Sequence, residues 1–109
     1  MSLHRKIIDY FVENPDELGA HIGLIVADIN PEVSMGDHGD VDLLVRGDDY
    51  NGNFSTAVVE IKTHSGLIPN YERQLPKYQE NFPDAKYYVG FLRDTDKEFR
   101  FDNFRFHRY

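Results

Sequence analysis

Charged side chains alternate with apolar ones in two short segments of the chain. Asp40 and Asp42 lie in one segment, and Glu60 and Lys62 lie in the other. Because successive side chains of a strand point to opposite faces of a sheet, the two members of each pair would share one face. Burying such charges in apolar strands is costly unless they are paired or bound to a metal. Their spacing therefore indicates either a functional site or a solvated polar face.

The segment between them, residues 47–53, is dense in turn-forming residues and contains the pair Asn51 and Gly52. An Asn-Gly pair between two apolar strands is a strong signal for a β-hairpin. We expect this hairpin to bring Asp42 next to Glu60 and Lys62, so that two carboxylates and an ammonium group converge on one spot.

Two carboxylates with bound water suit Mg²⁺ or Mn²⁺. Such an ion polarises a phosphoryl oxygen and lowers the pKa of a bound water, while Lys62 would orient that water or stabilise charge in the transition state. His38 beside Asp40 and Asp42 offers a histidine-containing metal site as an alternative, but no further ligand spacing supports it. A hairpin with a solvated polar face and a Glu60–Lys62 ion pair is the non-functional interpretation.

Helical periodicity and capping residues predict the elements that precede the hairpin. Residues 3–13 predict an amphipathic helix, and Asn14 followed by Pro15 predicts the cap and first position of a second helix. Residues 18–29 fit either the rest of that helix or a buried strand. The turn-rich residues 30–39 predict a loop that includes a short strand at 32–35.

A stripe of apolar residues at helical spacing predicts a helix after the hairpin that ends near residues 81–84. Pro76 lies inside it and predicts a kink or a break into two pieces. Residues 86–92 then predict a buried strand, and the alternating residues 99–102 and 104–107 predict one or two edge strands. The helical stripe consists of Tyr71, Leu75, Tyr78 and Phe82.

The order of the charged residues resembles the PD-(D/E)XK nuclease superfamily. Its pattern is an acid at the start of one core strand and (D/E)-x-K on the next strand, which Asp42, Glu60 and Lys62 match. Val41 stands where the pattern has a Pro, and many members lack that Pro.

A second motif points to particular families within this superfamily. Gln74 and Tyr78 form a Q-x-x-x-Y motif similar to that of the RecB-like and lambda-exonuclease-like branch, where both residues lie on the helix after the E-x-K strand. The letters V-E-I-K-T at 59–63, followed by a helix with Gln74, also look like the virus-type replication-repair nuclease family. The resemblance covers about residues 17–92.

The resemblance implies a mixed α/β fold with a restriction-endonuclease-like αβββαβ core, in which helices flank a central mixed sheet. It implies a single domain over residues 1–109 that hydrolyses phosphodiester bonds of DNA with Mg²⁺ or Mn²⁺. The implied catalytic residues are Asp42, Glu60, Lys62 and Gln74. The metal would be held by Asp42, Glu60 and the carbonyl of Ile61.

Further candidates carry an ordinary structural explanation beside the functional one. Glu17, or Glu13 as the second candidate, would reach the metal from the helix before the core strands. Either residue could instead be a solvated helix acid. Tyr78 would face the site or fill the core, and His64 would contact a phosphate or cap the turn at Ser65. The candidates for nucleic-acid binding are Arg73, Lys77 and Arg105.

The net charge of −7 argues against simple binding to DNA, because phosphate contacts dominate nucleic-acid affinity. Positive charge is nevertheless concentrated among aromatic residues near the C-terminus, at Arg100, Arg105, His107 and Arg108. Alternating Arg and Phe would stack on a single strand, or would simply cover the core as an amphipathic strand. The negative charge is also compatible with a basic partner, a larger parent protein or a homodimer that supplies the contacts to DNA.

Length and composition bound the remaining possibilities. A chain of 109 residues suits one domain, and the absence of Cys excludes disulfides and thiolate metal sites. No apolar segment has membrane-spanning length and no signal-peptide pattern is present, so we expect a cytoplasmic protein without membrane contact.

Three functions remain open from the sequence. The first is a metal-dependent deoxyribonuclease in repair, recombination or the processing of phage and mobile elements. The second is an acidic, non-catalytic interaction domain, either a nucleic-acid mimic or an inhibitor. The third is a nuclease-fold module of a larger protein, including one that binds nucleic acid without cutting it.

Overall fold

The computed structural model describes residues 2–92 and 103–109 of the chain. They form a five-stranded mixed sheet with helices on both faces, which confirms the mixed α/β fold expected from the sequence. The elements in chain order are α1 Leu3–Glu13, α2 Pro15–Ile22, β1 Leu24–Ser34, β2 Asp40–Asp49, β3 Phe54–Lys62, α3 Ile68–Asn81, β4 Lys86–Leu92 and β5 Phe104–Arg108.

The strands lie in the order β1-β2-β3-β4-β5. β1, β2 and β3 form an antiparallel meander, β3 and β4 are parallel, and β5 pairs antiparallel with β4 at the edge. Because parallel neighbours cannot be joined by a tight turn, the chain must cross over between β3 and β4, and α3 supplies that crossover. The sheet order places β3 at the centre, with an antiparallel neighbour on one side and a parallel neighbour on the other.

Each face of the sheet has its own apolar core. The first core lies under α1 and α2 and consists almost entirely of aliphatic and Phe side chains, among them Ile7, Phe11, Leu18, Leu43, Val59 and Ile61. The second core lies under α3 and is richer in Tyr; it includes Leu44, Val58, Tyr71, Tyr78, Tyr87 and Val89. The two cores fix the sheet between the helices, so that β3 is covered on both faces.

Local capping explains the first two helices. The Ser2 hydroxyl accepts a hydrogen bond from the backbone N–H of Arg5 at 3.1 Å, which satisfies one free donor of α1. α2 begins at Pro15 with Asn14 at the cap position, as predicted. The ambiguous segment divides at Gly23, whose φ of 73° ends α2 because only Gly adopts that conformation readily. The residues after Gly23 form strand β1.

The predicted loop at residues 30–39 is partly wrong. β1 continues through Asn30 and Pro31 to Ser34, and Pro31 lies opposite Leu43 of β2. Pro lacks the N–H that a strand with two neighbours needs, but β1 is an edge strand and tolerates it. The true loop is shorter and contains a 3-10 turn at Gly36–His38.

The predicted break at Pro76 is also absent. α3 runs as one helix from Ile68 to Asn81, with Pro76 inside it. Pro76 removes the N–H that would bond the carbonyl of Glu72, and both residues are exposed, so water can satisfy that carbonyl. The predicted apolar stripe does pack against the sheet, and the helix ends where the sequence indicates.

The hairpin is confirmed. β2 and β3 pair from Leu43 opposite Val59 to Asp48 opposite Phe54, and the strands extend further into the predicted turn than expected. β4 matches its predicted range, and β5 is an edge strand as predicted. The other predicted aromatic strand, residues 99–102 with Arg100, lies outside the described residues.

Within the described parts of the chain, no helix is long and apolar enough to cross a membrane.

Candidate active site

The paired region of β2 and β3 ends at Leu43 and Val59, although both strands continue beyond this point. Beyond this point, hydrogen bonds to two acidic side chains take the place of backbone hydrogen bonds between the two strands. The N–H of Asp42 donates to Glu60 Oε1 at 3.0 Å, and the N–H of Ile61 donates to Asp42 Oδ2 at 2.8 Å. Each acid thus bonds the backbone of the opposite strand, which holds the two carboxyl groups against each other.

Glu60 is buried, with 5% of its surface exposed. Burial, and next the neighbouring charge of Asp42, raise the pKa of Glu60 to about 8, and the Lys62 ammonium offsets only part of this effect. The Lys62 Nζ lies 3.9 Å from Glu60 Oε2, as the shared face of β3 predicts. The ionised site is therefore short of positive charge, and near neutral pH Glu60 retains a proton unless a cation approaches.

The backbone of Ile61 also faces this gap. In a β-strand the N–H and C=O of one residue point toward the same neighbouring strand. Since the Ile61 N–H reaches Asp42 on β2, the Ile61 carbonyl is directed to the same side. Two carboxylates and one carbonyl oxygen thus lie on the β2 side of β3.

Helix α3 brings Gln74 and Tyr78 to the same place. The Tyr78 hydroxyl donates to Gln74 Oε1 at 3.3 Å, and the ring is buried in the core under α3. Burial, followed by the charge and hydrogen bond of Glu60, raises the pKa of Tyr78. Tyr78 is therefore both a core aromatic residue and a neighbour of the acids, so its two sequence interpretations are compatible.

A cavity of about 160 Å³ opens between the loop that precedes β2 and helix α3, which is room for several water molecules. Glu60 and Lys62 form part of its wall, and Asp42 is not among the described lining residues. The cavity is lined by Met35, His38, Gly39, Asp40, Glu60, Lys62, Gln74, Lys77 and Tyr78.

Sequence reasoning missed His4. Its Nε2 lies 3.1 Å from Asp42 Oδ2, so α1 contributes a side chain to the acids. His4 precedes Ile7 and Ile8 by one helical turn, and both are buried. A polar residue in line with the buried stripe of α1 was the signal that could have found it.

Glu17, the acid expected from the preceding helix, lies elsewhere. Its carboxylate accepts a hydrogen bond from the Tyr10 hydroxyl, and it is absent from the described cavity lining. Glu13 is exposed at the end of α1, and His64 is exposed before the 3-10 turn at Ser65–Leu67. Neither residue is among those that line the described cavity.

The three predicted nucleic-acid contacts are placed differently from one another. Lys77 lines the cavity, whereas Arg73 is exposed and bonds the Asn70 side chain. Arg105 lies on β5 in the row that runs through Phe91 to Lys62. Paired residues of adjacent strands share a face, so Arg105 lies on the face of Lys62, roughly 10 Å away across two strand spacings.

The oxygen atoms around Glu60 fit a hard metal ion with few protein ligands. Among the described residues, no group of three or more His, Asp or Glu side chains is arranged to hold an ion. Mg²⁺ needs fewer, because it binds through one or two carboxylates and keeps several waters. Asp42, Glu60 and the Ile61 carbonyl offer the hard oxygen ligands that it prefers, and the raised pKa of Glu60 marks a place where a cation would relieve buried charge.

A scan against models of protein families finds no match to the chain, and searches of curated proteins and of solved structures find none either.

Proposed function

We propose that this chain is a Mg²⁺-dependent phosphodiesterase of the PD-(D/E)XK type that acts on DNA. The observation that carries the proposal is the reciprocal contact of Asp42 and Glu60 at the end of the β2–β3 pairing. A solvated polar face would not bury a carboxyl group beside a second one, because this arrangement destabilises the ionised pair. A cation-binding role explains why both acids are there.

The order of elements supports the same proposal. From α2 to β4 the chain reads α, β, β, β, α, β, which is the order that the nuclease resemblance implies. In this order the E-x-K motif of the third strand and the Gln of the following helix line one cavity, and the acid of the second strand contacts the Glu of that motif. Asp42, Glu60, Lys62 and Gln74 have these positions.

Each residue then has a role in phosphodiester hydrolysis. Mg²⁺, when bound by Asp42, Glu60 and the Ile61 carbonyl, would polarise a phosphoryl oxygen and acidify a water. Lys62 Nζ, beside Glu60, would hold the attacking water and stabilise the charge that develops on phosphorus. Gln74, held by Tyr78, would orient that water. The water releases a proton to solvent as its oxygen bonds to phosphorus, a P–O ester bond breaks, and the leaving oxygen takes up a proton from solvent.

Two basic side chains near the site would contact the DNA backbone. Lys77 does so from the cavity wall, and Arg105 does so from the row shared with Lys62. Two cations are few for a chain of net charge −7. We therefore propose that a larger parent protein or a second copy supplies further phosphate contacts, in repair, recombination or mobile-element processing.

The net charge also favours one alternative, an acidic interaction domain that binds a basic partner without chemistry. In that case the acids act as a charged surface, and no single carboxylate is indispensable. The buried position of Glu60 counts against this role, because a carboxylate with 5% exposure contributes little to a contact surface.

The proposal is tested by cleavage of labelled single-stranded, duplex and branched DNA with Mg²⁺ or Mn²⁺. Lys62→Ala should lower the rate by roughly 10²–10³-fold, because it removes a group that stabilises transition-state charge. Lys86→Ala is a matched control, since Lys86 Nζ lies 3.8 Å from Asp49 as Lys62 Nζ lies 3.9 Å from Glu60. Equal rates for both variants, or no cleavage by the wild type, would contradict the proposal.

A further inference from the structure

The cavity wall opposite β3 carries a histidine whose hydrogen bonds are fixed by its neighbours. Asn81 Nδ2 lies 2.8 Å from the carbonyl oxygen of Lys77 and 3.1 Å from His38 Nδ1. A carbonyl oxygen only accepts hydrogen bonds, so the side-chain atom facing it must be the amide nitrogen. This contact settles which way the Asn81 amide is turned.

The orientation of Asn81 determines the state of His38. The amide nitrogen has two hydrogens, one for the Lys77 carbonyl and one for His38 Nδ1. His38 Nδ1 must therefore accept, which leaves the ring hydrogen of the neutral imidazole on Nε2. No described residue is a hydrogen-bond partner of Nε2, and the ring lines the cavity.

The loop that carries His38 is held in place by its own backbone. The Met35 N–H donates to the Gly39 carbonyl at 2.7 Å, and the His38 N–H donates to the Met35 carbonyl at 3.3 Å. These bonds close a compact turn between β1 and β2. His38 is thus positioned both by its side chain and by its backbone, which lowers the entropy lost when it binds a ligand.

Lys77 completes this wall. Its ammonium group has no ion-pair partner in residues 2–92 and 103–109, and the side chain lines the same cavity one helical turn before Asn81. An N–H donor and a free ammonium group on one wall form a recognition site for an oxyanion. Asp40, an exposed acid in the same lining, would weaken the binding of a free anion.

We propose that His38 and Lys77 form a phosphate-binding subsite that holds a second phosphate of the DNA strand, next to the one that is cleaved. This inference rests on the proposed function for its choice of substrate. A phosphate held on the α3 wall would align the strand, so that the neighbouring phosphodiester lies against Glu60 and Lys62. The subsite selects a strand end or a single strand that enters the narrow cavity.

The test is binding of inorganic phosphate in metal-free buffer, followed by ¹⁵N NMR of the histidine rings. Free protein should show His38 with a bare Nδ1 and a protonated Nε2, and phosphate should shift Nε2. His38→Ala and Lys77→Ala should each weaken phosphate binding roughly tenfold, as expected for a charge-assisted hydrogen bond. Asp40→Asn should strengthen binding, because it removes a like charge.

Matched controls are exposed residues of the same type outside the described cavity lining. His64→Ala and Lys6→Ala should leave phosphate binding unchanged within twofold. Asn81→Ala should change the ring ¹⁵N pattern of His38 in the folded protein, because it removes the donor that keeps the ring hydrogen on Nε2. No phosphate-dependent shift of His38, or equal losses in the control variants, would overturn the subsite.

Comparing thymidine dinucleotides with and without a 5′-phosphate distinguishes a terminal from an internal phosphate. If the chain binds phosphate through His38 and Lys77 but never cleaves DNA, the subsite stands and the proposed reaction fails. If it cleaves DNA while both variants keep the wild-type KM and phosphate affinity, the subsite fails and the reaction stands.

Discussion

The two ends of the β2–β3 hairpin each hold an acid against the backbone, with opposite electrostatic results. At the turn, Asp49 Oδ1 accepts hydrogen bonds from the N–H groups of Asn51 and Asn53, at 2.9 and 3.0 Å. These bonds and Lys86 lower the pKa of Asp49, with the Asn53 N–H as the largest cause. At the open end, burial and Asp42 raise the pKa of Glu60 to about 8.

The comparison shows what separates an acid whose charge is satisfied from one whose charge is not. Both acids have a Lys partner at nearly the same distance, 3.8 Å for Asp49 and 3.9 Å for Glu60. The backbone supplies two donors to Asp49, whereas Glu60 receives one and faces a second carboxyl group. The charge of Asp49 is satisfied within the fold, whereas an ionised Glu60 lacks matching donors and positive charge.

The largest effect that should sharpen this contrast is the pH dependence of metal affinity. Below pH 8 a metal must displace the proton of Glu60, so Mn²⁺ affinity should rise about tenfold per pH unit and level off above the pKa. Between pH 6 and 8 the gain in affinity, measured by calorimetry, should be about fiftyfold, because half of Glu60 is still protonated at its pKa. A flat profile over this range would mean that Glu60 is already ionised, like Asp49.

The next effect is on stability. Because the folded pKa of Glu60 lies above its usual value of 4.5, its stabilising contribution is complete below that value and is lost as pH rises to about 8. Glu60→Gln should remove this loss, which amounts to at most about 1.4 kcal/mol per pH unit. In metal-free urea unfolding, we expect the free energy of unfolding of the variant to exceed that of the wild type by up to about 4 kcal/mol at pH 8. At pH 4.5 the two free energies of unfolding should be equal. A variant that is less stable than the wild type at both pH values would contradict the claim that the charge of Glu60 is unsatisfied in the fold.

His4→Ala should have a smaller effect at the same end. Its contact with Asp42 orients a proposed metal ligand, and losing such an outer partner weakens metal affinity roughly tenfold. Arg5→Ala on the neighbouring position of α1 is the control, since Arg5 pairs with Asp9 and Glu32 instead. Equal Mn²⁺ affinities in the two variants would show that His4 plays no part in the site.

The smallest effect on the site is expected from the turn. Asp49→Asn keeps one acceptor oxygen but loses the charge, so its bonds to Asn51 and Asn53 should weaken and the melting temperature should fall. Cleavage and metal affinity should remain at the wild-type level. A loss of metal binding in this variant would contradict the claim that only the open end of the hairpin affects the metal site.

Much of this hairpin could be predicted from the sequence because its determinants are local. The two-residue period fixes which side chains share a face, and the Asn-Gly turn fixes which strands meet. The contact of His4 with Asp42 spans 38 positions and depends on how α1 packs, so the local pattern of α1 marks His4 but not its partner. The bond of the Tyr10 hydroxyl to Glu17 joins two helices, so no local pattern contains it either.

Two errors in the predicted elements also have tertiary causes. Pro31 reads as a turn residue, but the edge position of β1 removes the need for its missing N–H. Pro76 reads as a helix breaker, but it lies on the exposed side of α3, whose buried face is fixed by Tyr71 and Tyr78. Sequence gives the propensity of a residue, and its neighbours in the fold decide whether that propensity prevails.

The most direct test of the account is Mn²⁺ binding at pH 8 by three chains: wild type, Glu60→Gln and Asp49→Asn. The account predicts one Mn²⁺ bound per wild-type chain, the same for Asp49→Asn, and none for Glu60→Gln at the same metal concentration. No binding by the wild type, or equal binding by all three chains, would contradict the claim that the open end of the hairpin is a metal site.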